Sequence, residues 1–352
     1  MNSTTFVTGT ETPDMTTQET KREGNRPSAR GHRAIELAEA LALPALLLAV
    51  IMFFALLPAS SESFATTANL RIILADQAIL LVVCLAILFP MVTNTWDFSP
   101  GASAGFCAII AASVVHSSGS VFVATLAAAG TGALIGVANG FLVTRMRVNS
   151  VIATLGMTIV IAGFVQWKTD GNALLAGIPK SVTSFGSDQF LGIPVLMWMA
   201  LALSAVAFFV LRRTVYGRDL HAIGSNLAAA RLVGLRIERF IFTAYVIGGL
   251  LAACAGMMIL ARTGSGNPEV GPAYLLPAYA AVFLGATTIT PGRWNVWGVV
   301  VAVLFLGVLN SGLTLAGASS YVNSFANGIA LFVGVGVANV LAHRRGRSPE
   351  MS

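Results

Sequence analysis

The stretch "GRDLHAIGSNLAAARLVGLRI", residues 217–237, is basic and polar, whereas long apolar runs stand on both sides of it. It carries Arg218, Arg231 and Arg236, and further arginines flank it. Asn226 is a favourable N-cap and Gly234 stands where a C′ glycine ends a helix, so the pattern predicts a short helix over residues 227–233. An apolar chain therefore keeps one structured, basic segment near its middle.

The rest of the chain has the composition of a membrane protein. Of its 352 residues, 56% are hydrophobic and 10% are charged, whereas soluble proteins carry about 25% charged residues. A helix needs about 20 apolar residues to cross a bilayer. Apolar segments near that length lie at 38–57, 72–92, 100–115, 121–143, 151–167, 194–211, 240–261, 274–290, 296–316 and 321–341. The sequence predicts an all-α polytopic membrane protein of about ten transmembrane helices.

The two ends of the chain differ from this apolar body. Residues 1–35 are rich in Ser, Thr, Gly and charged side chains. They have too little apolar surface to offset the entropy of ordering, so we expect a disordered cytoplasmic tail. Residues 36–341 form the predicted transmembrane domain, with 212–239 as its main loop, and residues 342–352 form a second cytoplasmic tail.

The distribution of basic residues predicts the orientation of the helices. With the N-terminus inside, four of the 21 Lys and Arg residues lie outside, namely Arg71, Lys168, Lys180 and Arg262. Loops rich in Lys and Arg stay in the cytoplasm. Both termini and the loop 212–239 are therefore expected to be cytoplasmic. The net charge of +6 reflects this topology, so we expect no nucleic-acid partner.

Residues 93–99, "TNTWDFS", form the one predicted cytoplasmic connection without Lys or Arg. The apolar segment after it spans about 24 Å, which is short, and Ser99 and Pro100 fit N-cap and N1 positions. This favours a discontinuous element that begins within the membrane, where unwound backbone must be buried or line a cavity. Asp97 would then lie near the pathway, its carboxylate close to the N–H groups of residues 100–102. The alternative is an ordinary surface turn with a solvated Asp97.

A weak internal repeat indicates a body of two halves. "GVANG" at 136–140 resembles "GVLNSG" at 307–312, and "VNS" follows each copy, at 148–150 and 322–324. The predicted topology runs the two copies in opposite directions, as two inverted five-helix repeats would. The alternative is chance, since Gly and Asn recur in membrane helices for packing.

Several chemistries are missing from the sequence. There is no G-x-x-x-x-G-K-[ST] loop, so the chain lacks that device for binding ATP. The three cysteines lie in apolar runs, and no His, Cys and Glu cluster indicates a metal. Intramembrane carboxylates, on which ion-coupled carriers depend, are few. We therefore predict no catalytic residue, cofactor or metal in this chain, and an external source of energy.

The predicted spans do contain polar side chains that could line a pathway. Amides and hydroxyls suit a neutral solute that carries hydroxyl groups, although they also join helices to one another. The candidate pathway residues are Asp76, Gln77, Asn94, Asp97, Thr158, Gln166 and Asn310. Asn139, Thr154 and Asn327 are further neutral polar residues within the spans.

These motifs carry a family resemblance over residues 65–341. The loop is similar to the pattern G-R-x-[LI]-x-A-I-G-x-N-x-x-A-A-R-x-x-G-I, and "LRRTVYGR" (211–218) and "VNSVIATLGM" (148–157) match as well. The chain resembles the permease subunit of ribose-type ATP-binding-cassette sugar importers, a family shared more distantly with branched-chain amino acid permeases. It departs from the family at Ala228, at Asn94–Trp96 and at Pro277, which implies a divergent subgroup and leaves open whether its ligand is ribose or another solute.

The resemblance implies a bacterial inner-membrane permease that works within a complex. Two permease copies, as a homodimer, would form the pathway within the membrane lipid. Two ATPase subunits, which bind ATP and Mg²⁺, would dock on the coupling loops. A periplasmic or lipid-anchored solute-binding protein would deliver the sugar. The implied coupling residues are Gly217, Arg218, Gly224, Asn226, Ala229, Ala230, Arg231 and Gly234.

Other interpretations of the sequence stay open. The solute could be a branched-chain amino acid or a nucleoside, or the chain could be a channel or facilitator that needs no ATPase. Residues 217–237 could instead form an interfacial helix that its arginines anchor to anionic lipid. On the opposite face, the loops 168–193 and 262–273 carry both charge signs, which suits docking of a binding protein.

Overall fold

The computed structural model describes residues 29–175 and 178–344, which are almost entirely helical. The helices are α1 (Ala29–Leu56), α2 (Ser61–Phe64), α3 (Thr67–Val92), α4 (Pro100–Ser118), α5 (Val121–Thr144), α6 (Ser150–Thr169), α7 (Lys180–Ser187), α8 (Val195–Arg213), α9 (Val215–Ser225), α10 (Leu227–Leu232), α11 (Ile237–Thr263), α12 (Val270–Ala273), α13 (Leu275–Gly285), α14 (Val296–Leu315) and α15 (Ser320–Arg344). A hairpin of two short antiparallel strands, β1 (Gln189–Phe190) and β2 (Ile193–Pro194), precedes α8. The predicted tails lie mostly outside the described residues, although α1 begins within the first of them.

The helices confirm the predicted all-α membrane fold. Across the described ranges, nine helices are long and apolar enough to cross a bilayer: α1, α3, α4, α5, α6, α8, α11, α14 and α15. The predicted span 274–290 is wrong in its last five residues, because α13 ends at Gly285 and is about 16 Å long. The residues after it turn back, and Asn295 Nδ2 donates to the carbonyls of Gly285 and Thr288, both at 3.1 Å.

Helices α3 and α11 form the centre of the bundle. From Ala78 to Leu88, every side chain of α3 is buried, as expected for a helix that is apolar on all faces. α11 packs on α3, α4 and α5, whereas α14 packs on α3 and α13. When the shorter α13 is counted as the third helix of the second half, each half of the chain thus places its fourth helix on the second helix of the other half. Two inverted repeats would produce this exchange.

Glycines allow α5 and α11 to approach closely. Gly132 and Gly136 of α5 face the backbone of Gly249 and Tyr245 in α11. A Cβ atom added at Gly136 would lie 2.5 Å from the Tyr245 carbonyl oxygen. Small residues at four-residue spacing let membrane helices pack backbone against backbone. The "GVANG" stretch therefore has a packing role in this contact.

The bundle has two chemically different ends. The basic end carries α9, α10 and the exposed arginines 145 and 147. The opposite end carries α7, the hairpin and α12. There the two predicted external loops are joined, because Leu174 and Gly266 exchange backbone hydrogen bonds of 3.0 and 2.9 Å. α7 packs on the end of α11, where Gly186 meets the Ala261 carbonyl.

The close α5–α11 contact gives a test of the packing. Gly136→Val should lower the free energy of unfolding by about 1–3 kcal/mol, because the added methyl groups force two helix backbones apart. Gly130→Val is the matched control, since Gly130 lies on the same helix with no atom within 4 Å of an added Cβ. Denaturation of both purified variants in detergent provides the comparison. Equal losses of stability would contradict this packing.

Candidate coupling and translocation site

Residues 93–99, here called the 93–99 segment, form a buried non-helical link between α3 and α4. Thr93, Asp97 and Ser99 are each no more than 3% exposed. The segment contacts Asn139, about 7 Å before the end of α5, and Tyr245, about 12 Å inside the start of α11. It therefore lies below the surface of the basic end, which agrees with a discontinuous element that begins inside the bundle.

One face of α6 supplies hydrogen bonds to the backbone of the 93–99 segment, which lacks the internal hydrogen bonds of a helix. Ser150 Oγ accepts the Trp96 N–H at 3.2 Å, and Thr154 Oγ1 accepts the Phe98 N–H at 3.1 Å. Thr158 Oγ1 donates to the Phe98 carbonyl at 3.0 Å. These three hydroxyls recur every fourth residue and so share one helix face. Buried backbone groups need such partners, since an unpaired group in an apolar interior is costly.

Two buried tyrosines complete the backbone pairing from the other side. Tyr245 donates to the Trp96 carbonyl at 2.8 Å, and Tyr279 donates to the Asp97 carbonyl at 2.7 Å. The Tyr279 ring also stacks on Phe98 at 4.8 Å, and Phe98 stacks on Trp96 at 6.1 Å. Stacked aromatic pairs add to the stability gained by burial. Helices α11 and α13 are thereby fixed around the segment.

The Asp97 carboxylate belongs to a short polar chain. Its Oδ1 accepts from the N–H and the hydroxyl of Ser99, at 2.9 and 2.7 Å. Asn139 Nδ2 in turn donates to Ser99 Oγ at 2.8 Å. The prediction that the Asp97 carboxylate lies at the N–H groups of residues 100–102 is wrong. Pro100 has no N–H, and Ser99 supplies both hydrogen bonds. Pro100 does begin α4, but the Ser99 hydroxyl binds Asp97 and does not cap the helix.

The basic loop contains two helices, α9 and α10, where the sequence predicted one. The α10 prediction is confirmed, because Asn226 Oδ1 accepts the Ala229 N–H at 2.9 Å and Gly234 has a φ of +80°. α9 was missed, since its 11 residues include two glycines that weaken a helical pattern. Burial against Phe240 raises the pKa of the Tyr216 phenol above its ordinary value.

Most of the predicted coupling residues shape this helical pair from within. Gly217 lies against the last turn of α8, and Ala230 is 3% exposed in a small core with Ile223 and Ile237. Arg218, Ala229 and Arg231 are exposed and free to meet a partner. Sequence reasoning missed three exposed apolar side chains of this loop, although their positions on a polar loop were a usable signal. They are Leu227, Leu232 and Val233, which are 47%, 89% and 76% exposed.

Gly224 joins this loop to the buried segment. It lies directly against the carbonyl of Val92, the last residue of α3. No side chain separates the two backbones at this point. α9 therefore rests on the residue that precedes the 93–99 segment, so that a displacement of the loop acts on the segment without an intervening flexible side chain.

The predicted pathway residues are not all brought together. Asp97 and Thr158 meet at the 93–99 segment, whereas Asn94 is exposed at the basic end. The others lie elsewhere. Asp76 lies at the opposite end, where it accepts a hydrogen bond from Arg262 Nε at 2.9 Å. Gln77 packs on Gly307, and Gln166 is exposed. Asn310 Nδ2 donates to Asn327 at 3.2 Å.

The arrangement of apolar helices around a buried polar break, with an ordered basic loop at one end, defines a polytopic membrane permease. The family model described as "branched-chain amino acid transport system / permease component" matches residues 69–335. The chain belongs to this permease family. No solved structure matches the chain.

Curated relatives of the chain are import permeases for small solutes. The ribose import permease protein of Escherichia coli (strain K12) is 32% identical over 296 residues, covering 83% of this chain and 92% of the relative. That of Haemophilus influenzae is 29% identical over 301 residues, covering 85% and 93%. The autoinducer 2 import system permease protein of Enterobacter sp. (strain 638) is 32% identical over 284 residues, covering 81% and 82%. Within its family, the chain is thus similar to ribose-type permeases.

The depth of Asp97 can be measured by thiol labelling. In a chain whose three native cysteines are replaced by alanine, Asp97→Cys should react slowly with a charged thiol reagent, because the position is almost fully buried. Ser225→Cys, an exposed position at the same end, should react fast. Both are measured in detergent, where the reagent reaches both ends. Equal labelling rates of the two variants would mean that Asp97 lies in a solvated surface turn.

Proposed function

We propose that the chain is the permease subunit of an ATP-binding-cassette sugar importer in the bacterial cytoplasmic membrane, with both termini in the cytoplasm. It forms the translocation pathway and binds neither ATP nor Mg²⁺, which belong to a separate ATPase subunit. The observation that carries this proposal is the contact of Gly224 with Val92. It joins an exposed basic loop to a buried polar break in the bundle, as an externally powered permease requires.

The ATPase docks on the exposed side of α9 and α10. Leu232 and Val233 project from this loop with 89% and 76% of their surface exposed, beside the exposed Arg231. Exposed apolar side chains with an arginine nearby suit a protein interface, whose buried centre is apolar and enriched in arginine. The buried Ala230 and the half-buried Gly224 hold the loop in shape and lie on its inner side.

Two charged substitutions test this docking. Leu232→Asp and Val233→Asp should each abolish most solute-stimulated ATPase activity of the reconstituted complex, because a carboxylate would be buried without a partner at the interface. Ala228→Asp is the matched control on α10, at a position where the resembled family often has an acidic residue. The measurement is ATP hydrolysis with and without solute, after insertion of each variant has been verified. Full stimulation in both variants would refute docking at this surface.

The solute class follows from the polar groups of the site. The polar groups in and around the 93–99 segment are hydroxyls, an amide and backbone groups, beside a half-buried Trp96–Phe98 stack. A zwitterionic amino acid would require charges of both signs. Asp97 is the one charged side chain of the segment, and Ser99 already engages it. A neutral sugar therefore fits this surface better than an amino acid, in agreement with the ribose permeases among the relatives.

A second copy of the chain completes the pathway. α6 and α15 are the last long helices of the two halves, and 17% and 11% of their spans are buried within the chain. Gly156 and Gly163 of α6, and Gly328 and Gly336 of α15, have no neighbouring atom within 4 Å of an added Cβ. Such open small residues permit close approach of another membrane helix.

The solute-binding protein docks at the opposite end of the bundle. The joined loops form an ordered surface there, from which Lys168 and Lys180 project. Arg262 is excluded from this role, because its guanidinium binds Asp76 and joins α11 to α3.

Charge reversal distinguishes a docking surface from a mere connection. The double variant Lys168→Glu and Lys180→Glu should weaken the affinity of the liganded binding protein at low salt, and the difference should shrink as salt screens the charges. Arg212→Glu, at the basic end, should leave that affinity unchanged. The measurement is binding of the protein to the reconstituted complex at two salt concentrations. An unchanged affinity and salt dependence would mean that docking uses another surface.

A further inference from the structure

A groove of about 500 Å³ opens at the basic end, between the end of α5, the start of α11 and α10. Its walls combine two kinds of side chain. Val143, Leu227, Ile237 and Ile241 make it apolar, whereas Arg147 and Arg231 face it with positive charge. One carboxylate, Glu238, lines it as well. Two of the lining residues, Leu227 and Arg231, belong to the basic loop, and the others come from the end of α5 and the start of α11.

The two arginines of the groove have no carboxylate partner. Within residues 29–175 and 178–344, no ion pair reaches Arg147 or Arg231, and both are exposed. Arg147 also has a φ of +55°, at a helix end where glycine is the usual residue. The chain thus keeps a guanidinium where the backbone would favour glycine. An anion that binds both arginines accounts for this arrangement.

The groove continues a surface that faces the bilayer. Leu134, Val137 and Phe141 form a stripe on α5 and are 70%, 40% and 50% exposed. The stripe ends one helical turn before the groove, where Arg145 adds a further exposed positive charge. An acyl chain that lies along this stripe brings its headgroup to Arg147 and Arg231. Basic pockets beside the ends of transmembrane helices are suited to the phosphate of anionic lipids.

We propose that this groove binds the headgroup of an anionic phospholipid, whose phosphate bridges Arg147 and Arg231. The lipid ties α10 to the ends of α5 and α11 at the membrane surface. The site adjoins the proposed ATPase surface: Arg231 lines the groove, whereas Leu232 and Val233 face outward. It does not depend on the identity of the transported solute.

Lipid retention by the full chain tests the proposal. The chain is placed in nanodiscs of phosphatidylcholine with a small share of phosphatidylglycerol, and bound lipid is counted by native mass spectrometry after gentle release. Wild type should retain phosphatidylglycerol in preference to phosphatidylcholine. Arg231→Gln should weaken retention roughly tenfold or more, because charge-assisted hydrogen bonds are lost. Arg212→Gln, at the same end but outside the groove, should retain lipid as wild type does.

A second variant separates binding from folding. Arg147→Gly removes the guanidinium and gives the strained position its preferred residue. It should therefore unfold no more readily than wild type in phosphatidylcholine alone, yet lose phosphatidylglycerol retention. Equal retention by wild type, Arg147→Gly and Arg231→Gln would overturn the proposal.

Two competition arms identify the occupant. Inorganic phosphate at millimolar concentration should not displace phosphatidylglycerol, and displacement would make the groove a site for a free anion. Assembly with the ATPase subunits should leave the lipid in place. Loss of the lipid on assembly would overturn the proposal and assign the groove to the protein interface.

Discussion

The structure depends on one constraint: the 93–99 segment enters the bundle, and Asp97 and Ser99 are buried there, without being helical. Each of its polar groups must find a partner inside an apolar bundle, and the partners come from different helices. α6 supplies three hydroxyls, α11 and α13 supply one tyrosine each, and α5 supplies Asn139. Because leaving such groups unpaired costs about 1–3 kcal/mol each, this small segment fixes the mutual positions of the four helices that supply the partners.

This constraint also explains how a loop at the surface can act on the interior. α9 meets α3 backbone to backbone, through Gly224 and Val92, immediately before the buried segment. At the opposite end, Arg262 and Asp76 join α11 to the same helix α3. The two central helices are therefore held together at both ends, by hydrogen bonds to the segment at one and by an ion pair at the other.

Much of the fold and part of the candidate site could be predicted from the sequence, because local residue patterns indicate them. Hydropathy predicted the long helices, Asn226 and Gly234 predicted the ends of α10, and a loop without basic residues pointed to Asp97. The partners of the segment could not be predicted in the same way. Tyr245 and Tyr279 stand 149 and 182 residues from the carbonyls they bind, and no local spacing indicates such contacts. The role of Ala230 was likewise hidden, since the family pattern marks the residue but not the direction of its side chain.

The most direct test of the account is hydrogen–deuterium exchange in the reconstituted complex of permease and ATPase. In the resting state, the amides of Trp96, Phe98 and Ser99 should exchange slowly, because hydroxyl or carboxylate oxygens hold all three inside the bundle. ATP binding should speed their exchange together with a change in the α9 amides, because the two elements share the contact at Gly224. Fast exchange in the resting state, or a response of α9 without any response in the segment, would contradict the account.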